Sequence, residues 1–241
     1  MHMRSDAIRL LKTLPHPCGY YADRVAQNLV IDPLAVDLPQ VYEAALTRGY
    51  RRAGGHIYRP ACARCQACVP ARVPVAEFVP NRSQRRNWRR NADLGVSDEP
   101  ARFSDECFDL YRRYLGTRHP GGGMDDAERE DFGRFLTSPW SPTRFLAIRD
   151  QDRLLAVAVT DMTQFGVSSV YTFYDPEQAT RGLGTFAILT QIETARRMRL
   201  PHLYLGYWID GHQKMNYKAR FQPLELLRGQ HWVRAPVQTA G

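Results

Sequence analysis

Apolar positions change period several times along the chain, and each change marks an element. Residues 69–78 alternate apolar with polar side chains, the period of strands, and 24–31 also reads as a strand, stopped by Asp32-Pro33. Residues 39–49 carry Val41, Ala44 and Ala45 at helical spacing and end near Gly49. Helical patterns recur over 104–115 and 125–136, separated by a polar, glycine-rich loop that reads as mobile, and Cys107 falls on the core face of the first. Residues 144–149, 154–161 and 168–174 then read as three strands, the first two joined by Asp150-Gln151-Asp152. A glycine turn at 181–184 opens a helix with Phe186, Leu189, Ile192 and Ala195 in register. Residues 203–209 form a further strand, KMNYKARF a short basic helix, and 224–233 a terminal strand. The first seventeen residues carry only a weak helical pattern, closed by Pro15-His16-Pro17.

The order in the second half is three strands, glycine turn, helix, strand, helix, strand. It resembles an acyltransferase core, which sets the expected fold class as α/β (α+β), a mixed sheet of the N-acetyltransferase (GNAT) type. The expected division is a cysteine-containing N-terminal domain over 1–70 and a GNAT-like transferase domain over 71–241. In that arrangement Arg181, Gly182 and Gly184 would form a donor loop, because free N–H groups at a helix N-terminus receive anions. A plain tight turn is the alternative. The acetyl-coenzyme A signature Q/R-x-x-G-x-G/A is not met, since Ala179 stands three residues before Gly182.

Charge changes the picture most between residues 81 and 91. Asn81 suits a helix N-cap, and Arg82, Arg85, Arg86, Arg89 and Arg90 fall on one face of the helix that follows. Five guanidiniums on one stripe repel one another unless an anion lies along them, and the planar guanidinium fork matches phosphate. The expectation is a helix lying on a nucleic-acid backbone, the alternative a solvated basic face. A net charge of +8 over 241 residues agrees with an anionic partner. The N-terminus has no secretory pattern and no apolar run approaches the length of a membrane span, so a cytoplasmic protein without membrane contact is expected.

Three of the five cysteines sit at CxxCxxC spacing, Cys62, Cys65 and Cys68. They supply three ligands of a four-ligand zinc site, with Cys18 or His56 as the fourth. Part of an iron–sulfur run is a second reading, and small thiols packed under a turn a third.

Several segments together resemble the aminoacyl-tRNA–protein transferases, in particular the bacterial leucyltransferases related to eukaryotic arginyltransferases. They are CGYYADR from Cys18, YRRAGGHIYRPAC from Tyr50, the CxxCxxC knuckle, SQRRNWRRN from Ser83, YDP from Tyr174, RGLGTFAIL from Arg181 and YLGYWIDGHQKMNYKARFQPLELL from Tyr204. The resemblance implies transfer of an aminoacyl group, leucyl first, from its tRNA to the α-amine of proteins beginning with Asp or Glu. Such a product is marked for degradation. The relatives resemble CGYC where this chain has Cys18-Gly19-Tyr20-Tyr21, which puts a shared cluster in doubt.

An activated ester and a partly neutral α-amine need no covalent nucleophile and no cofactor for transfer; orientation and oxyanion stabilisation suffice. Asp175, Tyr207, Asp210 and His212 are the candidate catalytic residues. Selecting an acidic side chain calls for cations, and Arg51, Arg52, Lys214, Lys218 and the neighbouring Tyr217 are the candidates. Two rival functions are an acetyl-coenzyme A N-acetyltransferase and a non-enzymatic zinc-knuckle RNA-binding module.

Overall fold

The structure is a computed structural model that describes residues 8–118 and 128–236. The predicted 119–123 loop and the start of the predicted 125–136 helix lie outside the described residues; Thr117 and Arg118, expected in that loop, close a helix instead.

The chain begins in short strands: β1 (Leu10–Lys12), β2 (His16–Pro17), β3 (Val25–Ala26) and β4 (Asn28–Ile31). β1 replaces the expected helical lead-in, because a helix this short is marginal, whereas Leu10 and Leu11 pair directly with Ile31 and Val30. Helix α1 (Leu38–Thr47) has proline in its first turn, where no N–H is needed. Strands β5 (Arg51–Ala53) and β6 (His56–Pro60) form a hairpin through Gly54-Gly55 and complete a four-stranded antiparallel sheet in the order β1-β4-β6-β5.

A second, eight-stranded sheet dominates the molecule. Its elements are β7 (Val69–Pro74), α2 (Arg82–Arg90), β8 (Gly95–Pro100), α3 (Asp105–Arg118), α4 (Arg129–Leu136), β9 (Thr143–Asp150), β10 (Arg153–Thr163), β11 (Gly166–Tyr174), α5 (Leu183–Arg197), β12 (His202–Trp208), β13 (Glu225–Arg228) and β14 (His231–Arg234). The strand order is β14-β13-β7-β12-β11-β10-β9-β8. The expected terminal strand is thus a hairpin, turned at Gly229 with φ 63°. β8 was not legible as a strand because it is an edge whose side chains are mostly exposed. The expected basic helix at KMNYKARF is a 3-10 turn, Asn216–Arg220.

Both faces of the sheet are covered, which is why β10 reads as a nearly continuous apolar run. Successive residues of β9 point to opposite faces. Phe145 and Ala147 pack with Phe108, Tyr111, Leu115 and Phe132 of α3 and α4. Leu146 and Ile148 pack with Leu183, Phe186 and Ala187 of α5.

Every neighbouring pair in this sheet is antiparallel except β11 and β12. Those two run parallel and pair only at Val167 with Leu203 and Ser168 with Tyr204. Beyond Ser168 the strands part, and the sheet carries a wedge-shaped opening. A bulge between Tyr204 and Gly206 in the pairing of β12 with β7 accompanies the departure.

Candidate active site

The wedge is filled from the other sheet. Arg51, on β5, places Nη2 on the carbonyls of Ser169 and Val170 at 2.8 and 3.1 Å, two acceptors that β12 no longer pairs. Room for the guanidinium comes from Gly206, at φ 77°, where a Cβ would collide with Arg51 Nη1. That Nη1 is buried and has no protein acceptor.

Around Arg51 lies a cavity of about 690 Å³. One wall is the parted strands, residues 169–172 of β11 and 205–207 of β12; a second is the first turn of α5, with Gly182 and Gly184; a third is the 3-10 turn with Tyr217 and Lys218. Trp208 holds that turn against the sheet by donating to Asn216 Oδ1 at 3.2 Å. The charged residues among the described lining are Arg51, Arg52, Arg118, Lys214 and Lys218, with no carboxylate between them.

Lys218 is the most informative of these. It is buried, and among the described residues its ammonium touches only Met215 Sδ at 3.6 Å and the Tyr217 ring at 4.6 Å. Burial first, and the nearby Arg51 second, push its pKa down to about 7. A buried lysine beside an arginine, with no acid facing it, is a site that an anion would stabilise. The start of α5 adds its own attraction, since backbone N–H groups and the positive end of the helix dipole meet there. Gly182, at φ 65°, is the N-cap, and Asn87 Nδ2 donates to its carbonyl at 3.1 Å.

The structure separates the sequence candidates. Arg51, Lys214, Tyr217, Lys218, Tyr207, Gly182 and Gly184 come together on the cavity wall. Arg52 is a correction. Its side chain is wholly shielded, bound to Asp161 at 2.6 and 2.7 Å, to Thr143 and to the Leu136 carbonyl. Tyr42 also donates to Asp161 at 2.7 Å, so this arginine serves as a joint between the two sheets. Arg181 is a second correction: its guanidinium holds Asp93 at 2.9 and 3.0 Å outside the cavity.

Of the four catalytic candidates only Tyr207 lines the cavity, donating to the carbonyls of Gly49 and Tyr58 at 3.2 and 3.3 Å. The buried Asp175 carboxylate holds Arg153 at 2.6 Å and caps the turn that follows it by accepting from Glu177 N–H. Asp210 is exposed on a turn. His212 packs edge-on against Tyr20 and Tyr21 and bonds the Tyr20 carbonyl, which fixes the N-terminal segment beside the cavity.

Gly206, Arg118 and Tyr171 were not singled out in the sequence. Arg118 donates to Tyr174 OH at 2.7 Å, and the Tyr171 hydroxyl is buried without a protein partner. Only Gly206 carried a local signal, a glycine inside a strand, which marks a bulge or a close backbone approach.

Cys18, Cys62, Cys65 and Cys68 line a neighbouring cavity of about 740 Å³ that His56 does not reach. Their thiols interact: burial first, then the other three cysteines, push Cys68 up to about 11. Cys65 moves the other way, through the Ala67 N–H and then Arg24, which donates to its sulfur at 3.2 Å. Cys62 is engaged with the Gln27 backbone. Among the described residues no group of three or more His, Cys, Asp or Glu is arranged to hold a metal ion. The cysteines as placed do not fit a zinc or cluster site.

Helix α2 starts on a reciprocal cap between Asn81 and Gln84. Gln84, Asn87 and Asn91 face inward, and all five arginines are exposed. Among the described residues none of the five pairs with a carboxylate. No helix of the described residues is long and apolar enough to cross a membrane.

A carboxylate-free cationic cavity in a parted sheet lies beside an arginine helix, and both suit anions. Sequence comparisons add the family. Residues 16–86 match the N-terminal profile of arginine-tRNA-protein transferase and residues 106–228 the C-terminal profile. The aspartate/glutamate leucyltransferase of Stenotrophomonas maltophilia K279a is 56% identical over 95% of this chain and 94% of its own length. That of Xylella fastidiosa 9a5c is 53% identical over 94% and 92%, and that of Teredinibacter turnerae 48% identical over 96% of each. Among solved structures, a C-terminal domain of a putative lysylphosphatidylglycerol synthetase from Agrobacterium fabrum aligns at TM-score 0.49 and 13% identity, covering 68% of this chain and 61% of that one. The chain belongs to the arginine-tRNA-protein transferase family.

Proposed function

We propose that this chain transfers a leucyl group from leucyl-tRNA to the α-amine of proteins that begin with Asp or Glu, so that a degradation-marking residue heads the product. The carrying observation is the cavity that gathers Arg51, Lys214 and Lys218 without one carboxylate.

The acidic side chain of the acceptor enters beside Lys218 and Arg51, where charge-assisted hydrogen bonds satisfy the free Nη1 and the buried ammonium. The tRNA terminus approaches the N-terminus of α5 at Gly182 and Gly184. The acceptor nitrogen attacks the ester carbonyl, a C–N bond forms, the bond to the ribose oxygen breaks, and that oxygen takes up a proton as the amine loses one. An α-amine with a reference pKa near 7.7–8.0 is partly neutral at pH 7, so water suffices as the proton carrier. Tyr207 is the candidate that remains beside the reacting groups; Asp175, Asp210 and His212 serve the frame.

The parted β11 and β12 support the GNAT-type reading of the large sheet, and the small sheet supports a separate N-terminal domain over 1–70. That domain lends Arg51 to the site in the larger one. The exposed arginines of α2 support a tRNA surface, and the setting is the cytoplasm.

The test mixes purified protein with a peptide beginning in Asp and labelled leucyl-tRNA or arginyl-tRNA. Label arriving from leucyl-tRNA alone is expected. Label from neither overturns the reading.

A further inference from the structure

Helices α2 and α5 enclose a third cavity, of about 480 Å³, distinct from the one around Arg51. Its interior is apolar, with Leu189 and Ile192 of α5, and Trp88 of α2 forms part of the wall. Arg85 and Arg89 stand beside Trp88 on the rim. The one carboxylate there, Glu193, is paired with Arg196 at 3.0 Å.

Trp88 is 41% exposed in the middle of the most basic helix of the chain. Its ring contacts Phe186 at 5.2 Å between centroids, which holds the indole in place without covering it. An exposed, anchored aromatic ring between exposed guanidiniums that no carboxylate of the described residues holds is the combination that suits single-stranded nucleic acid. The ring stacks a base of any identity, and the cations follow the phosphates.

The position fits as well. Asn87 and Asn91 donate to the Arg181 carbonyl at 2.9 and 3.0 Å, tying α2 to the turn that opens the reaction cavity. Leu189 and Ile192 lie further along α5, which at 1.5 Å per residue is about 10–15 Å from Gly182. That is the reach of about three or four stacked nucleotides at 3.4 Å each.

We propose that the cavity between α2 and α5 binds an unpaired nucleobase of the single-stranded 3′ end of the tRNA, stacked on Trp88, with Arg85 and Arg89 on the flanking phosphates. This rests on the transfer reading for the identity of the RNA. It adds a base-stacking site whose apolar floor lies about 10–15 Å along α5 from Gly182.

The experiment measures binding of an acceptor-stem RNA hairpin with a single-stranded 3′ end, intact or with one base at a time removed from that end. The proteins are wild type, Trp88→Ala, Trp88→Phe, and Trp88→Leu, which keeps an apolar contact to Phe186 but has no ring. Trp88→Ala and Trp88→Leu are expected to bind the intact RNA about 5- to 100-fold more weakly, the cost of one stacked base. Their dependence on salt should be unchanged, and Trp88→Phe should retain most of the affinity. At one position, base removal should weaken wild type by the same factor and leave Trp88→Leu unaffected. Equal binding by wild type and Trp88→Leu, or base removal costing both proteins alike at every position, overturns the proposal. Leucyl transfer by wild type and Trp88→Leu, followed in parallel, separates the two readings. Base-dependent binding without transfer sinks the enzyme reading alone, and transfer indifferent to Trp88 sinks the stacking site alone.

Discussion

The guanidinium of Arg51 lies against the bare Cα of Gly206, and neither residue can keep its conformation if the other takes the space. Arg51 comes from the small sheet and Gly206 from the parted strand of the large one, so the contact joins the sheets at the site itself. Gly206→Ala meets both a side-chain collision and a φ of 77° that alanine adopts poorly. We expect a stability loss of about 1–3 kcal/mol, read in urea unfolding. The KM for an Asp peptide should rise while affinity for tRNA stays within about twofold.

Arg51→Met tests the acceptor directly. Removing a charge-assisted hydrogen bond of about 1.5–3 kcal/mol should raise KM for an Asp peptide by about 10- to 100-fold. A peptide beginning with an uncharged residue should be used equally poorly before and after the change. Loss of discrimination is therefore the readout, and an unchanged ratio of the two peptides would remove Arg51 from substrate selection.

Arg52 is expected to behave differently from its neighbour. Arg52→Met leaves Asp161 buried without its cation, a change that costs about 3–5 kcal/mol. Denaturant unfolding should record it, while the KM of the protein that remains folded changes little.

Lys218 is expected to make acceptor binding pH-dependent. Its ammonium ordinarily titrates at 10.5 and is depressed to about 7 by burial and by Arg51. Between those values the unfolded chain holds a proton that the native chain lacks, so this residue's contribution to stability rises with pH from about 7 to 10.5 and is flat below. A bound carboxylate restores the charge. Titration of an Asp peptide at pH 8 in buffers of different ionisation enthalpy should therefore show proton uptake. Lys218→Met should abolish that uptake, and should raise stability at pH 7.

The arginines of α2 should act through salt alone. Arg82→Gln and Arg86→Gln are each expected to lower the slope of log K for tRNA against log salt by about one, without changing KM for the peptide. An unchanged slope would show that the helix does not touch phosphate.

Much of this was visible along the chain. Asn81 announced the start of α2, and the arginines at three- and four-residue spacing announced its exposed face, because capping and helical period are local properties. The buried strands β9 to β11 declared themselves by apolar runs between turn residues. Edge strands were harder. β8 is mostly solvated and β1 is three residues long, so neither presents a buried period to read.

Arg51 and Arg52 show where the sequence stops. They are adjacent, of the same type, and equally suited to a carboxylate. Alternation along β5 sends them to opposite faces. One face meets Asp161, Thr143 and the Leu136 carbonyl and becomes a structural joint; the other meets the gap between β11 and β12 and keeps an Nη1 without an acceptor among the described residues. By itself the sequence determined the family, the basic helix, the buried strands β9 to β11 and most of the cations, all of which depend on local period, composition and motif. The tertiary structure decided which cation is free, because that depends on where two strands distant in the chain stop pairing and on which carboxylates the fold delivers to each guanidinium.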